Sequence, residues 1–168
     1  SSTTVQLAIG DALAIALMER KKFGKLDFKR FHPAGNLGNK LKTAADLMLI
    51  KKKIPFINEN QNMKKALKII NLKRLGFLVV INKQGFTVGV FTDGDLKRLM
   101  QKKREIKDIK IKSHMTKNPF KVQENALASD VLLLMNKKKI TNICVYKKEN
   151  KKKTIGVLSI HHLLSNLR

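Results

Sequence analysis

Two stretches of this sequence are repeated, and the repeat constrains the fold more than any single motif. Residues 89–99 resemble residues 156–167 at an offset of 67, and residues 78–81 resemble residues 143–146 at an offset of 65. The difference of two falls in the lysine-rich segment 147–153, where a hairpin tolerates insertions. An internal repeat of this length predicts two small α/β units packed against each other.

Each unit is predicted to have the element order β-α-β-β-α. In the first unit, residues 54–57 form an extended piece, and Met63, Ala66, Leu67 and Ile70 follow helical spacing. Strands are predicted over 77–81 and 86–91, and a closing helix over 93–103. In the second unit, the same reasoning places an extended piece at 118–122, a helix at 125–138, strands at 143–146 and 154–158, and a helix at 160–167.

Residues 1–44 do not belong to the repeat. Ser1 to Thr4 supply side chains typical of a helix N-cap, and residues 5–22 are then predicted to form a mostly apolar helix. Such a helix needs cover on most of its faces, and the rest of the sequence offers no obvious partner for it. The sequence is therefore expected to start inside a larger domain.

The charge of +24 raises the question of an anionic partner, such as nucleic acid or a membrane surface. Only six of the 36 basic residues are Arg, a bias that an AT-rich genome would also produce. The lysine runs 51–53, 137–139 and 151–153 fall at predicted element ends or turns, without interleaved aromatic residues. We therefore predict no specific nucleic-acid partner and no membrane partner.

Other features favour a protein of the cytoplasm. The single cysteine, Cys144, excludes an internal disulfide and lies in an apolar, strand-like run, which predicts a buried thiol. No apolar stretch is long enough to span a bilayer, and the N-terminal residues do not resemble a signal peptide.

The repeat resembles a tandem pair of cystathionine-β-synthase-type (CBS) domains. Residues 1–44 resemble the end of a sugar isomerase (SIS) domain through residues 1–5, residues 10–14 and the segment 32–38, which begins His-Pro-Ala-Gly. In this order, the pieces are similar to the arabinose 5-phosphate isomerase family. The resemblance implies an α/β chain with an SIS remnant at 1–44, a first CBS domain at 45–107 and a second at 108–168.

The resemblance also implies an activity. The family interconverts D-ribulose 5-phosphate and D-arabinose 5-phosphate for lipopolysaccharide biosynthesis, with a sugar phosphate as substrate of the complete protein. This chain lacks most of the catalytic domain, so we expect it to be inactive alone. The CBS pair is expected to be a regulatory ligand-binding module that self-associates as a dimer or tetramer, without a cofactor. The alternatives are a stand-alone nucleotide sensor and a purely structural dimerisation module.

Gly89, Thr92 and Asp95 are the candidate ligand-binding residues of the first repeat. They match the Gly-x-x-Thr-x-x-Asp stretch of nucleotide-binding CBS pairs, whose Asp holds the ribose hydroxyls and whose Thr lies near the phosphate. The resemblance thus implies an adenosine or cytidine nucleotide ligand. An equally good interpretation is a helix capping box between Thr92 and Asp95, which needs no ligand.

The second repeat departs from this pattern. Ser159 replaces the threonine and is expected to cap the next helix and to belong to the ligand cleft, while His162 replaces the aspartate. A histidine cannot replace the ribose-binding carboxylate, so at most one good nucleotide site is expected. Adjacent helix residues point about 100° apart, and no cysteine or acidic cluster joins His161 and His162, so no metal site is predicted.

His32 is the candidate catalytic residue. Aldose–ketose isomerisation moves a proton through an enediol and needs an acid/base group with a pKa near neutrality, which histidine provides. The family implicates the histidine of a His-Pro-Gly-Gly-like segment, from which this sequence departs at Ala34. A loop histidine that stabilises a turn is the alternative. Ser2 and Thr3 are expected near the sugar phosphate, or else serve only as a helix cap.

Overall fold

A computed structural model describes residues 2–24, 27–28, 41–103 and 105–167. The chain divides into two compact units, residues 1–41 and residues 42–168. In the first unit, helix α1 spans Ser2–Arg20 and exposes large apolar side chains such as Val5, Leu7 and Leu13. The predicted apolar helix is therefore present, although it begins three residues earlier than residue 5.

The second unit contains the repeat. Its helices are α2 (Ala44–Leu47), α3 (Met63–Lys73), α4 (Asp93–Lys102), α5 (Ala128–Lys138) and α6 (Ile160–Asn166). Its strands are β1 (Leu49–Ile50), β2 (Phe56–Asn58), β3 (Phe77–Ile81), β4 (Thr87–Thr92), β5 (Thr116–Lys117), β6 (Lys121–Gln123), β7 (Asn142–Lys147) and β8 (Asn150–Ser159). This arrangement confirms the predicted α/β fold of two β-α-β-β-α units.

The strands form two four-stranded sheets, in the orders β2-β3-β4-β5 and β1-β8-β7-β6. In each sheet a parallel pair, β2–β3 or β6–β7, is extended by an antiparallel hairpin, β3–β4 or β7–β8. The fourth strand comes from the other repeat: β5 pairs with β4, and β1 pairs with β8. The two repeats thus exchange their first strands, so that neither sheet is complete without the other repeat.

Three apolar clusters hold this arrangement together. One packs α3 and α4 on the first sheet around Phe91 and Met63, and another packs α2, α5 and α6 on the second sheet around Met135 and Leu158. The third joins the two sheets and contains Ile54, Phe77, Val79, Val90, Cys144 and Val157. Since fully buried aliphatic side chains dominate these clusters, burial of apolar area stabilises both repeats and the contact between their sheets.

Within the repeat, two differences from the predicted boundaries have a clear structural cause. Helix α5 begins at Ala128 rather than at residue 125. The backbone groups of Glu124 and Ala126 form hydrogen bonds with Tyr146, Ala44 and Ala45, and so they do not form the hydrogen bonds of a helix. Strand β8 begins at Asn150, so the lysine run 151–153 lies in a strand and not in the turn. In the pairing of β7 with β8, Tyr146 lies opposite Thr154 and Lys147 lies opposite Asn150, so Lys151 to Lys153 form a bulge between these two pairs and are exposed.

Candidate functional site

A cleft of about 500 Å³ lies between the two repeats, within the second unit. We call it the first cleft. Its residues come from the start of α4, the start of β3, and the segments that precede β6 and β7. They include Thr92, Asp95 and Arg98 from the first repeat and Asn118, Phe120 and Lys139 from the second.

Thr92 and Asp95 form a complete capping box at the start of α4. The Thr92 hydroxyl accepts a hydrogen bond from the Asp95 backbone N–H at 3.2 Å. The Asp95 carboxylate Oδ2 accepts from the Thr92 backbone N–H at 2.9 Å and from the Thr92 hydroxyl at 2.8 Å. The predicted capping interaction is therefore present, and it stabilises the helix without a ligand.

The other oxygen of Asp95 is also occupied. Its Oδ1 accepts from Arg98 Nη2 at 2.5 Å and lies 3.4 Å from the Thr116 hydroxyl, which donates to it. Asp95 is only 9% exposed, whereas the Arg98 side chain is 65% exposed. A ligand hydroxyl would therefore have to displace the exposed Arg98 rather than a buried group.

Gly89 has a packing role. A Cβ at this position would lie 2.6 Å from Met115 Sδ and 2.9 Å from the Thr116 carbonyl oxygen. Gly156, the equivalent residue of the second repeat, is in the same way covered by the Met48 side chain. Glycine at both positions lets the exchanged strands β5 and β1 approach the neighbouring strand closely.

Asn142 links the two repeats at the edge of the first cleft. Its Nδ2 donates to the Leu75 carbonyl oxygen at 3.1 Å and to the Thr141 hydroxyl at 3.2 Å. The acceptor at Leu75 fixes the orientation of the amide, because the reversed amide would place two oxygens together. Among the described residues, no group donates a hydrogen bond to the buried Oδ1.

The second repeat does not reproduce the capping box. Ser159 occupies the N-cap of α6, but its side chain makes no capping hydrogen bond. The expectation that Ser159 caps the helix through its hydroxyl is therefore wrong. The position three residues later holds the exposed His162 instead of a carboxylate, so the reciprocal bond to the N-cap backbone has no acceptor.

Cys144 lies in the cluster that joins the sheets, as predicted for a buried thiol. Burial raises the pKa of this thiol from 9.0 to about 11, while a hydrogen bond with Thr154 and the charge of Lys121 act in the opposite direction. The thiol is therefore protonated and shielded at neutral pH, which suits a packing role and not a nucleophile.

Several predicted residues lie elsewhere. His32 and its segment 32–38 lie outside the described residues. Ser2 and Thr3 lie in the first turn of α1 and are exposed. In the part of the chain that the structure describes, no group of three or more potential metal ligands occurs and no helix is long and apolar enough to cross a membrane.

Arg98, Thr116, Phe120 and Lys139 were not predicted from the sequence as site residues. Arg98 could have been found, because it follows Asp95 by three residues on a helix and carries the opposite charge. The other three reach the first cleft from the second repeat. Only the packing of the two repeats places these three residues in the same cleft as Asp95.

The fold and this cleft define a CBS pair. The CBS domain family model matches residues 43–102 and 106–168. The chain therefore belongs to the CBS domain family, which confirms the predicted repeat.

Individual proteins give a narrower comparison. The chain is 37% identical over 165 residues to "Arabinose 5-phosphate isomerase KdsD" of Salmonella typhi, covering 98% of this chain and 49% of that protein. The chain thus spans about half the length of the curated relatives it matches. The crystal structure of CBSX2 in complex with AMP superposes with a TM-score of 0.61 at 23% identity, covering 73% of this chain and 93% of that one.

A second solved structure has the same fold. The CBS domain pair of protein MJ0100, in complex with 5′-methylthioadenosine and S-adenosyl-L-methionine, superposes with a TM-score of 0.65 at 19% identity. It covers 74% of this chain and 94% of that one. At these identities the two structures show a shared fold and nothing more.

Proposed function

We propose that this chain is the CBS-pair portion of an arabinose 5-phosphate isomerase-like protein, with residues 1–44 as the end of its SIS domain. The observation that carries the proposal is 37% identity to such an isomerase along 98% of this chain. The match covers 49% of that isomerase, so the remaining half would supply most of the catalytic domain. His32 remains the proposed catalytic residue, Ser2 and Thr3 remain proposed near the sugar phosphate, and the cytoplasm remains the proposed location.

The experiment for this part uses the conversion of D-arabinose 5-phosphate to D-ribulose 5-phosphate. Residues 1–168 alone should show no turnover. A fusion of the first half of the Salmonella typhi relative to this chain should be active, and His32→Gln should abolish that activity. An inactive fusion that folds, or an active fusion that is unaffected by His32→Gln, would overturn the proposal.

We further propose that the first cleft binds an adenosine nucleotide that regulates the isomerase. Among the described residues that line the cleft, Asp95 alone is a buried carboxylate, and a carboxylate can accept both hydroxyls of a ribose. The apolar side chains of Leu75, Ile140 and Phe120 surround the same space and suit a base.

Two cationic side chains of this cleft are available to a phosphate group. Arg98 and Lys139 line it together with the exposed Asp93 and the buried Asp95. Displacement of Arg98 from Asp95 by a ribose would free its guanidinium for the phosphate. The complexes of CBSX2 with AMP and of MJ0100 with adenosine derivatives support adenosine as the nucleoside.

Thermal unfolding with AMP and CMP tests this part. A ligand at about 100 times its Kd stabilises by about 2.7 kcal/mol, or about 5–10 °C for a chain of this size. AMP should raise the midpoint of the wild-type chain and of Asp130→Asn, but not of Asp95→Asn. Asp130 is a matched control, because it is also the third residue of a helix but lies on α5. No shift with either nucleotide would overturn nucleotide binding.

A purely structural pairing module is the second candidate. The Asp95 carboxylate is already fully hydrogen-bonded, and large apolar side chains are exposed on four helices: Leu72, Met100, Leu133 and Leu164. Sedimentation velocity should then show dimers or tetramers that Leu133→Gln or Leu164→Gln weakens. A dimer that forms without any nucleotide response would favour this candidate.

A further inference from the structure

The hairpin that joins β7 to β8 carries a high concentration of positive charge. Residues 147–153, which we call the basic hairpin, include five lysines and one acidic residue, Glu149, and all seven residues are exposed. The equivalent hairpin of the first repeat, residues 82–86, holds one lysine, Lys83. Both hairpins belong to the same chain, so a general excess of lysine in the sequence does not explain the difference between them.

The pairing of the strands makes the basic hairpin project beyond its neighbours in the sheet. β7 and β8 pair as far as Lys147 and Asn150. β6 pairs with β7 over residues 144–146, and β1 pairs with β8 over residues 156–157. Residues 147–153 therefore lie past the ends of both flanking strands, as a two-stranded ribbon.

Contacts with neighbouring residues give this ribbon a defined conformation. The Asn150 side chain accepts a hydrogen bond from the Lys152 backbone N–H at 3.2 Å. Lys121 on β6 donates from Nζ to the Lys151 carbonyl oxygen at 3.3 Å. The Lys152 ammonium lies 5.8 Å from the centre of the Phe86 ring, which belongs to the first repeat. These contacts hold the bulge of β8 in place and bring a sixth lysine to the ribbon.

The charge of the ribbon is not balanced within this chain. Among the residues that the structure describes, no ion pair involves a residue of the basic hairpin. Like charges on neighbouring strands repel each other, and the single carboxylate of Glu149 cannot balance six lysines. A place where a sequence breaks a local rule in this way is expected to be functional. The unbalanced charge therefore indicates an anionic partner outside this chain.

The residue types of the basic hairpin indicate the kind of anionic partner. Protein–protein interfaces are enriched in arginine and aromatic residues and depleted in lysine. Single-stranded nucleic acid is bound through aromatic stacking, and base readout on a duplex favours the arginine fork. The basic hairpin contains neither arginine nor an aromatic residue. Strongly hydrated lysines suit the surface of a membrane that contains anionic lipids, where the attraction needs no directed contact.

We propose that the basic hairpin attaches the CBS pair to the surface of an anionic membrane. The hairpin has no apolar side chain that could enter the hydrocarbon region, so the contact is peripheral and depends on charge alone. We expected no membrane partner from the sequence, because the lysine runs were predicted at element ends or turns. The structure instead collects six lysines on one projecting ribbon.

Co-sedimentation of residues 1–168 with lipid vesicles at about 150 mM NaCl tests this, because diffuse attraction is then screened over about 8 Å. The chain should bind vesicles of phosphatidylcholine with about one third phosphatidylglycerol, and not vesicles of phosphatidylcholine alone. A lysine near such a surface contributes roughly fivefold to binding. Lys151→Gln/Lys152→Gln/Lys153→Gln should therefore weaken binding by about thirtyfold or more.

Lys51→Gln/Lys52→Gln/Lys53→Gln is the matched control. These three lysines are also consecutive and exposed, so the two glutamine variants have the same net charge, but the control should change binding less than about threefold. Lys151→Arg/Lys152→Arg/Lys153→Arg keeps the charge and should bind as the wild-type chain does. Thermal unfolding checks that each variant is folded, and the hairpin glutamine variant should be at least as stable as the wild-type chain, because it relieves repulsion.

Three outcomes would overturn the proposal. Equal losses in the two glutamine variants would assign the binding to the diffuse net charge of +24. An absence of binding to the anionic vesicles would exclude a membrane partner. Binding to duplex DNA that depends on the hairpin, without binding to vesicles, would identify nucleic acid as the partner instead.

Discussion

The hydroxyl oxygens of Thr87 and Thr154 lie 2.7 Å apart in the interior of the CBS pair. The two residues are 67 positions apart and occupy the same place in their repeats, so the contact joins a residue to its own counterpart. Thr87 Oγ1 also accepts from the Thr154 backbone N–H at 3.2 Å. Both residues are buried, so this pair is a buried polar link between the two repeats.

Valine at either position should destabilise the protein. Thr87→Val or Thr154→Val removes the hydrogen bond between the two buried hydroxyls, which costs about 1–3 kcal/mol. Thr87→Val should be the worse of the two, because it also removes the acceptor of the Thr154 backbone N–H, whereas Thr154→Val additionally removes only a weak hydrogen bond with the Cys144 thiol. Urea unfolding of the two single variants measures the difference.

The double variant provides the control for this prediction. Replacing both hydroxyls removes both polar groups, so its loss of stability should be smaller than the sum of the single losses. Additive losses would show that the two hydroxyls do not depend on each other.

Alanine at Gly89 should destabilise the exchanged strand β5. The added Cβ would meet the Thr116 carbonyl oxygen at 2.9 Å, and a backbone atom cannot rotate away as a flexible side chain can. We expect a loss of about 1–3 kcal/mol in the free energy of unfolding. Gly94→Ala is the control, because its Cβ would have ordinary contacts of 3.5 Å and longer. A neutral Gly89→Ala would contradict close strand packing.

At the start of α4, Asp95 and its ion-pair partner Arg98 are expected to contribute unequally to stability. Asp95→Ala removes the acceptor for the Thr92 backbone N–H and should cost about 1–2 kcal/mol. Arg98→Ala removes an ion pair whose cationic side chain is 65% exposed, so we expect a loss below about 1 kcal/mol. Thermal unfolding of both variants without ligand measures this. A larger effect of Arg98→Ala would mean that the ion pair, and not the cap, stabilises the helix.

Cys144 predicts a loss of stability at high pH. Below pH 9 the thiol is protonated in both the folded and the unfolded chain, so its contribution is fully present. Between pH 9 and about 11 the unfolded chain releases the proton while the folded chain, with its raised pKa, retains it. The stability due to this group therefore falls as pH rises, by up to about 3 kcal/mol.

The comparison with Cys144→Ala isolates this effect from the titration of the lysines. Urea unfolding at pH 8.5, 9.5 and 10.5 should show a steeper fall for the wild-type chain than for the variant. Parallel curves would contradict the raised pKa. In the same pH range, a thiol reagent should react with Cys144 only after unfolding.

Much of the local structure could be predicted from the sequence. The apolar stripe from Met63 to Ile70 and the run from Phe77 to Ile81 led directly to α3 and β3, because these periods report which faces are buried. The Thr92–Asp95 cap was also predicted, since all its atoms lie within four consecutive residues. The failed cap at Ser159 shows the limit, because a serine at an N-cap forms the bond only when its rotamer and neighbours allow it.

By itself, the sequence determined the repeat, the order of elements in each unit and the two-residue insertion in the second hairpin. These features depend on local periodicity and on residues close together in the chain. The tertiary structure alone decided that β1 and β5 exchange sheets, that Thr87 meets Thr154, and that Arg98 shares a cleft with Lys139. Such contacts join residues 26 or more positions apart, and they form because two half-complete sheets bury their apolar faces together.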